Sequence, residues 1–420
     1  MNEGPLNRAR LLREQGRPSD ASDILVGILQ ENPDSDSVLA ELALCEMSIQ
    51  GKESKALESV RKAISLEPNY AFYHGIEALI LLELRQDKTA IVSAEKAIAM
   101  DPVLTLGYVA LSQCYARLNQ WKKVEIFSRK ALEIDPDLTG ARNLLLIALR
   151  NQNKNEEHDH HLSGLLSEDP EDSFTHSNAG WSALQRGDDK QAEIHFRESL
   201  RLNPNSEHAR DGLLNSFKSR SKVYSLYLKY CFFMQRFSAA GQWAIIIGLF
   251  IGVRIGREIL NNFHPLAAVA LGVAYLLFAL WVWVASGIGN FIVLLDKNAR
   301  FALKKCEVWD GIFVGGAIIT GILCAIVGVF HHSLWLTVSI LLAASCIPAS
   351  MLFVNNSKKG KYLFGSLFAY LYSVLIAIIV ATFTGNESFI NSVSAMMQLG
   401  LFGAFISTWL GGIQSLNQRA

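Results

Sequence analysis

Along the first half of the chain, apolar positions recur at helical spacing in short blocks, and each block ends near a proline. The segments ENPDS, LEPNY, MDPVL, IDPDL, EDPED and LNPNS place Pro33, Pro68, Pro102, Pro136, Pro170 and Pro204 at intervals of 35, 34, 34, 34 and 34 residues. Proline bars helix continuation, so each one closes a unit. Midway between them lie polar, turn-forming segments: QGKES, RQDKT, LNQWK, NQNKN and RGDDK. The unit is therefore helix–turn–helix. Fixed offsets before the prolines define a candidate core. Twelve residues before stand Ala21, Ala56, Ala90, Val124, His158 and Ala192; five before stand Ile28, Ala63, Ala97, Ala131, Leu165 and Ser199. Twenty-four before stand Ala9, Leu44, Ala78, Ser112, Leu146 and Gly180. Small side chains at such positions let antiparallel helices approach closely.

From residue 237 the pattern changes to long apolar runs broken by short polar loops. A helix needs about 20 apolar residues to cross a bilayer. Candidate spans are 239–260, 266–288, 311–330, 333–354, 362–384 and 392–413. The first is the shortest, with 17 residues between Arg236 and Arg254. Loop charge supports it. With six spans, Lys297, Arg300, Lys304, Lys305, Lys358, Lys359, Lys361 and Arg419 fall on the side of the N-terminus, while 261–265, 331–332 and 385–391 hold no lysine or arginine. That is the positive-inside distribution, and a first segment lying on the surface would violate it.

Composition sharpens the division. The chain has 420 residues, half of them apolar and 19% charged. Residues 241–420 carry only 10 basic and 5 acidic side chains. Residues 1–205 carry 23 basic against 32 acidic, and an acidic domain is a poor partner for nucleic acid. Residues 206–240 reverse the sign, with Arg210, Lys218, Arg220, Lys222, Lys229 and Arg236 against Glu207 and Asp211, which suits an anionic membrane surface. Six scattered cysteines form neither a disulfide framework nor a zinc pattern. The first twenty residues hold no apolar signal-peptide core, so the polar half is expected to stay in the cytosol.

The 34-residue helix–turn–helix period resembles the tetratricopeptide repeat (TPR) family over about residues 2–205. Residues 206–218 read as a closing helix that covers the last apolar face. The whole chain is similar to bacterial membrane proteins that place TPRs before a multi-helix membrane region. The resemblance implies a right-handed superhelix whose inner face, lined by the first helix of each pair, binds peptides. Carried onto this chain, the groove positions are Glu41, Cys45, Leu79, Gln113, Arg117, Asn143, Ile147, Arg150, Trp181 and Gln185. The Lys/Asn clamp of family members that hold chaperone tails is absent here, where Glu41, Cys45, Gly75, Leu79, Val109 and Gln113 stand at the matching sites. The plainer account of each single groove residue is solvated surface or packing between repeats.

Other motifs carry less. Gly248, Gly252 and Gly256 form overlapping GxxxG motifs, and Gly311 and Gly315 repeat the spacing; such faces pack helices in lipid. Arg254, Arg257 and Glu258 could line a pathway or hold a lipid phosphate, although the reading adopted is snorkelling to the headgroups. His158, Asp159, His160 and His161 could ligate a metal, but their spacing does not put three imidazoles on one helix face. His331 and His332 share a short turn. The VASG segment ending at Gly287 is similar to the serine motif of rhomboid proteases, yet 392–413 lacks the histidine that Ser286 would need. No HExxH, P-loop or dinucleotide fingerprint is present.

The expected fold is all-α: a TPR superhelix of about six repeats with a capping helix (1–218), a basic juxtamembrane linker (219–238), and a bundle of about six transmembrane helices (239–420). The expected function is a non-enzymatic, membrane-anchored adaptor in the bacterial inner membrane, with a protein or peptide partner, no cofactor and no metal. The alternative is a transporter or lipid-handling protein regulated by the repeats. Both termini are expected in the cytoplasm. An alkaline phosphatase fused at the C-terminus should be inactive while a cytosolic reporter fused there works, and the reverse result would refute this topology.

Overall fold

In the computed structural model, residues 3–297, 299–330, 334–384 and 387–410 are described; His331 and His332 lie outside them, as does Arg419. The described residues are helical with no β-strand. Fourteen short helices come first: α1 Glu3–Glu14, α2 Pro18–Glu31, α3 Asp36–Met47, α4 Glu53–Leu66, α5 Ala71–Glu83, α6 Asp87–Met100 and α7 Thr105–Arg117. They continue with α8 Trp121–Ile134, α9 Thr139–Asn151, α10 Asn155–Glu168, α11 Ser173–Arg186, α12 Asp189–Leu202, α13 Glu207–Ser219 and α14 Lys222–Gln235. Six long helices follow: α15 Ala239–Phe263, α16 Pro265–Leu295, α17 Lys305–Phe330, α18 Leu334–Phe353, α19 Lys358–Thr384 and α20 Glu387–Leu410. A short 3-10 turn, Arg300–Ala302, precedes α17. The chain forms two compact units, Met1–Asn178 with Phe232–Ala244, and Ala179–Cys231 with Ile245–Ala420.

Two backbone devices repeat through the short helices. Each first helix ends in a left-handed residue: Gly16, Gly51, Arg85, Asn119, Asn153 and Gly187 all have positive φ. At Arg85 the amide donates to Leu82 O and that of Gln86 to Leu81 O, both at 2.9 Å. The same pair of bonds recurs at 16–17, 119–120, 153–154 and 187–188, which is the Schellman C-cap. Each second helix stops two residues before its proline. Asp101, Asp135, Asp169 and Asn203 then accept at Oδ1 from the amide of the residue after the proline, at 3.0–3.1 Å. These Asx turns reverse the chain into the next first helix.

The small-residue offsets mark the contacts between helices. Ala21, Ala56, Ala90, Val124 and Ala192 are fully buried, as are Ala63, Ala97 and Ala131. The second repeat shifts by one: its small buried residue is Ala43, while Leu44 is only partly buried. The extra residue of the 35-residue interval lies in the wider turn 48–52, so Ala43 keeps its distance from the start of α3. In the fifth repeat α10 buries only His158 and Leu162, since His158 is larger than the alanine used elsewhere. In the sixth, the fully buried Phe196 ring lies against Gly180, where a Cβ would stand 2.7 Å from Cδ1, and equally against Gly212.

Most of the segment 219–238 is helical, as α14, and Tyr224 of α14 donates to Asn215 of α13 at 2.9 Å. The second segment of the first unit begins at Phe232, and there the Trp121 indole donates to the Gln235 carbonyl at 2.6 Å.

Among the described residues, four helical stretches are long and apolar enough to cross a membrane: Pro265–Leu295, Lys305–Phe330, Trp335–Phe353 and Lys358–Val380. The shorter apolar stretch Val393–Thr408 lies within α20. A core of Val314, Val338, Leu341, Leu371 and Val374 binds α17, α18 and α19. By contrast, α15 buries no residue. The α17 helix also starts six residues earlier than the apolar run, and so includes Glu307 and Asp310.

The left-handed cap is strained at Arg85 alone among positions lacking glycine or asparagine. Arg85→Gly should stabilise α5 and α6 by about 0.5–1 kcal/mol, with several-fold slower amide exchange there. Unchanged or faster exchange would show that the Arg85 side chain offsets the strain.

Candidate functional site

The sequence-predicted groove positions separate into two groups. Glu41 is buried, paired with Arg13 at 2.6 Å and Arg10 at 3.5 Å. Cys45 is fully buried beside Ala9, Ala21 and Val38; burial, then the Glu41 charge, push its thiol up to about 11, so it stays protonated at neutral pH. Arg117 donates to the Leu82 carbonyl and sits 3.3 Å from the Asp87 carboxylate. Asn143 is buried and accepts at Oδ1 from Asn178 Nδ2 at 3.0 Å. These four side chains join one repeat to the next. Leu79, Gln113 and Ile147 are different. They occupy one register on α5, α7 and α9, 34 residues apart, and each is only half-buried. Leu79 and Ile147 rest on the core around Leu111 and Trp121, leaving an apolar–polar–apolar row. Arg150, also half-buried, closes α9; burial lowers its guanidinium to about 10, which leaves it charged at neutral pH.

In the second unit, the Trp181 ring meets Phe196 edge-on at 5.5 Å and His208 at 5.4 Å, and Gln185 is half-buried. The glycines divide as well. A Cβ at Gly311 would stand 2.9 Å from the Phe291 backbone nitrogen, and one at Gly315 would strike the Phe291 ring, so α16 and α17 touch through these two. Gly256 lies near Leu271, while Gly248 and Gly252 face open space. His158 is buried with Nδ1 3.0 Å from Asp159, apart from the more exposed His160 and His161.

A polar junction that the apolar pattern hides lies where α13 meets α16 and α17. Arg210 Nη1 donates to Glu307 Oε2 at 3.0 Å and to the Ala302 carbonyl at 3.1 Å. Lys304 Nζ reaches Glu207 at 2.8 Å, and this hydrogen bond holds the Glu207 carboxyl below its usual range. Arg220 bridges Asp296 at 3.0 Å and Glu193 at 2.6 Å. Lys218 is 6% exposed. Burial pulls its ammonium pKa down, opposed by Glu307, Asp310 and Asp211. Asp310 is fully buried and accepts from Asn290 Nδ2 at 2.8 Å. Gly289 gives the room, since a Cβ there would lie 2.6 Å from the Tyr224 ring and 2.8 Å from the Lys218 stem. Three basic side chains assigned from sequence to the membrane surface are thus spent partly on internal acids. The signal was present: Asp296, Glu307 and Asp310 are three of only five acidic residues in 241–420.

No protein-family model matches the chain, and no curated protein does. Solved structures similar to it are TPR proteins. YrrB, described as a TPR protein with an unusual peptide-binding site, is 19% identical over 44% of this chain and 95% of that one, with a TM-score of 0.33. TTC0263, a thermophilic TPR protein from Thermus thermophilus, is 15% identical over 43% and 98%, with a TM-score of 0.40. PilW, a type IV pilus biogenesis factor, is 18% identical over 50% and 97%, with a TM-score of 0.42. The chain's own period, Schellman caps and Asx–proline turns carry the assignment. The N-terminal array of short helices, whose caps and turns repeat from α1 to α12, is of the tetratricopeptide type. Apolar helices follow this TPR array.

Breaking the half-buried Arg210–Glu307 pair should release α13. Arg210→Glu should speed amide exchange in α13 about ten-fold or more, from loss of about 1.5–3 kcal/mol of charged hydrogen bonding. Adding Glu307→Arg should recover part of the protection. No recovery in the double variant would mean that the pair does not hold this junction.

Proposed function

We propose that this chain is a membrane-anchored adaptor whose TPR array holds a segment of a partner protein. The observation that carries the reading is the row Leu79, Gln113 and Ile147, one half-open side chain per repeat at a constant register. A repeat array needs buried contacts between neighbours, and this chain makes them with Cys45, Arg117 and Asn143. A register left half-open in three successive repeats is free to contact an added segment, with apolar anchors on either side of a hydrogen-bonding amide. Binding, rather than catalysis, is the activity this arrangement supports.

The array would lie on the cytoplasmic side of the bacterial inner membrane, and α15–α20 would supply six crossings. Two features support that placement. Lys297, Arg300, Lys304 and Lys305 lie in the α16–α17 connection beside α13, and Lys358, Lys359 and Lys361 open α19. Basic loops gathered at the end that carries α13 match the positive-inside rule.

The test is photo-crosslinking in native membranes from a probe at Gln113 or Val109 in the full-length chain. The triple variant Leu79→Gln, Gln113→Glu, Ile147→Gln, carrying the probe at Val109, should lose the crosslinked partner while retaining its helical content. These side chains lie at the surface of the core, so about 1 kcal/mol each is the expected cost to stability. A partner list unchanged by the triple variant would exclude this face as the binding surface.

A further inference from the structure

We propose that the cleft between α15 and α16 is a binding site for an anionic phospholipid headgroup, with Arg254 and Arg257 taking the phosphodiester and Glu258 accepting from a headgroup hydroxyl. The inference rests on these two helices lying in the bilayer and is independent of the partner held by the repeats.

The two helices form a hairpin, joined through His264 alone, and they touch at few places. Gly256 meets Leu271, the Phe250 and Tyr275 rings lie 6.3 Å apart, and Arg257 lies across Gly272. Between these contacts remains a cavity of about 430 Å³ lined by Phe250, Val253, Arg254, Arg257, Glu258 and Tyr275, among others. It is amphipathic along its length, with Phe250, Val253 and Val269 apolar and the three charges gathered beside them.

Among the described residues these charges find no partner. Arg254, Arg257 and Glu258 fall at i, i+3 and i+4, on one helix face, yet among the described residues none of the three makes an ion pair or hydrogen bond. Elsewhere this protein pairs its arginines at helix junctions, as at Arg210 and Arg220. Two guanidinium groups that share one carboxylate and make no ion pair are costly at membrane depth unless an anion or the interface receives them.

Depth and charge select the ligand. From Ala239 the helix rises about 22 Å to Arg254 and about 27 Å to Arg257, against a hydrocarbon thickness of about 30 Å. With Ala239 at the near boundary, the backbones of Arg254 and Arg257 stand about 8 Å and about 3 Å short of the far one, so their long side chains reach toward the far leaflet's phosphate groups. Two cations and one carboxylate leave a single net positive charge, which one uncompensated phosphodiester neutralises. A choline headgroup brings its own cation and has no hydroxyl for Glu258. Guanidinium pairs suit phosphate oxygens through parallel N–H donors. Gly272 lets the Arg257 side chain lie flat, since a Cβ there would stand 3.0 Å from its Nε.

The full-length protein in mild detergent should be titrated with phosphatidylglycerol, with phosphatidylcholine and with inorganic phosphate, and bound lipid read by native mass spectrometry. Phosphatidylglycerol should bind in preference to phosphatidylcholine. Arg254→Gln with Arg257→Gln should weaken phosphatidylglycerol about ten-fold or more, as expected for lost charged hydrogen bonds. Gly272→Leu keeps every charge but displaces Arg257, and should weaken the same lipid; it decides the question if the double variant fails to fold. Wild-type retention in a folded double variant, or in Gly272→Leu, would overturn the proposal. So would equal binding of the two lipids, and displacement of lipid by millimolar phosphate would assign the cleft to the free anion instead.

Discussion

Pairing of the α13 cations with acids at the ends of α16 and α17 is the constraint on which the second unit depends. Exposed ion pairs contribute little, but those at Arg210 and Glu307 are 18% and 14% exposed and are reinforced by the Ala302 carbonyl. Lys218 and Asp310 are more deeply buried. A charge removed from water and then left alone is strongly destabilising. With α13 over Gly289, the charges of Glu307, Asp310 and Asp211 oppose that cost at Lys218, and Asn290 donates to Asp310. Apolar packing alone would allow α13 to slide along α16. The charges select one position.

That selection matters because the repeat devices on either side are generic. Schellman caps and Asx–proline turns specify how one short helix follows another; the caps close five of the six first helices and the Asx turns follow four of the six second helices. Nothing in them says where an array should stop. The chain stops it with Phe196 wedged between Gly180 and Gly212, and with a helix pair, α13 and α14, whose cations meet the acids of the apolar helices.

The apolar helices show the opposite balance. The helices α17, α18 and α19 share a continuous core, and α16 touches α17 at Gly311 and Gly315. The first of the six, α15, buries none of its residues, and among the described residues Gly248 and Gly252 face open space while Arg254 and Arg257 make no ion pair. Among the described residues α15 is held by its hairpin with α16, through Gly256 against Leu271 and Phe250 near Tyr275.

The repeat architecture was legible in sequence because each device is local. A proline, the Asx before it and a residue able to adopt positive φ act within five residues, so their 34-residue recurrence reveals the helices and their order. Hydropathy marked the long helices too, four of which are apolar over enough length among the described residues to cross a membrane, against the six spans expected. Burial of side chains at known offsets followed, except at Ile28, Leu165 and Leu44, which are only partly buried; at Leu44 a wider turn shifts the register to Ala43. Tertiary structure decided what periodicity does not encode. Glu41, Cys45, Arg117 and Asn143 share the face of Leu79, Gln113 and Ile147 in the sequence pattern, and only the packing of neighbouring repeats separates them. Likewise Arg210, Lys218 and Arg220 looked like a membrane-facing basic block, because their acids lie some 76–97 residues away in the chain. Electrostatic pairing acts through space, and a linear pattern records which charges exist but not which ones meet.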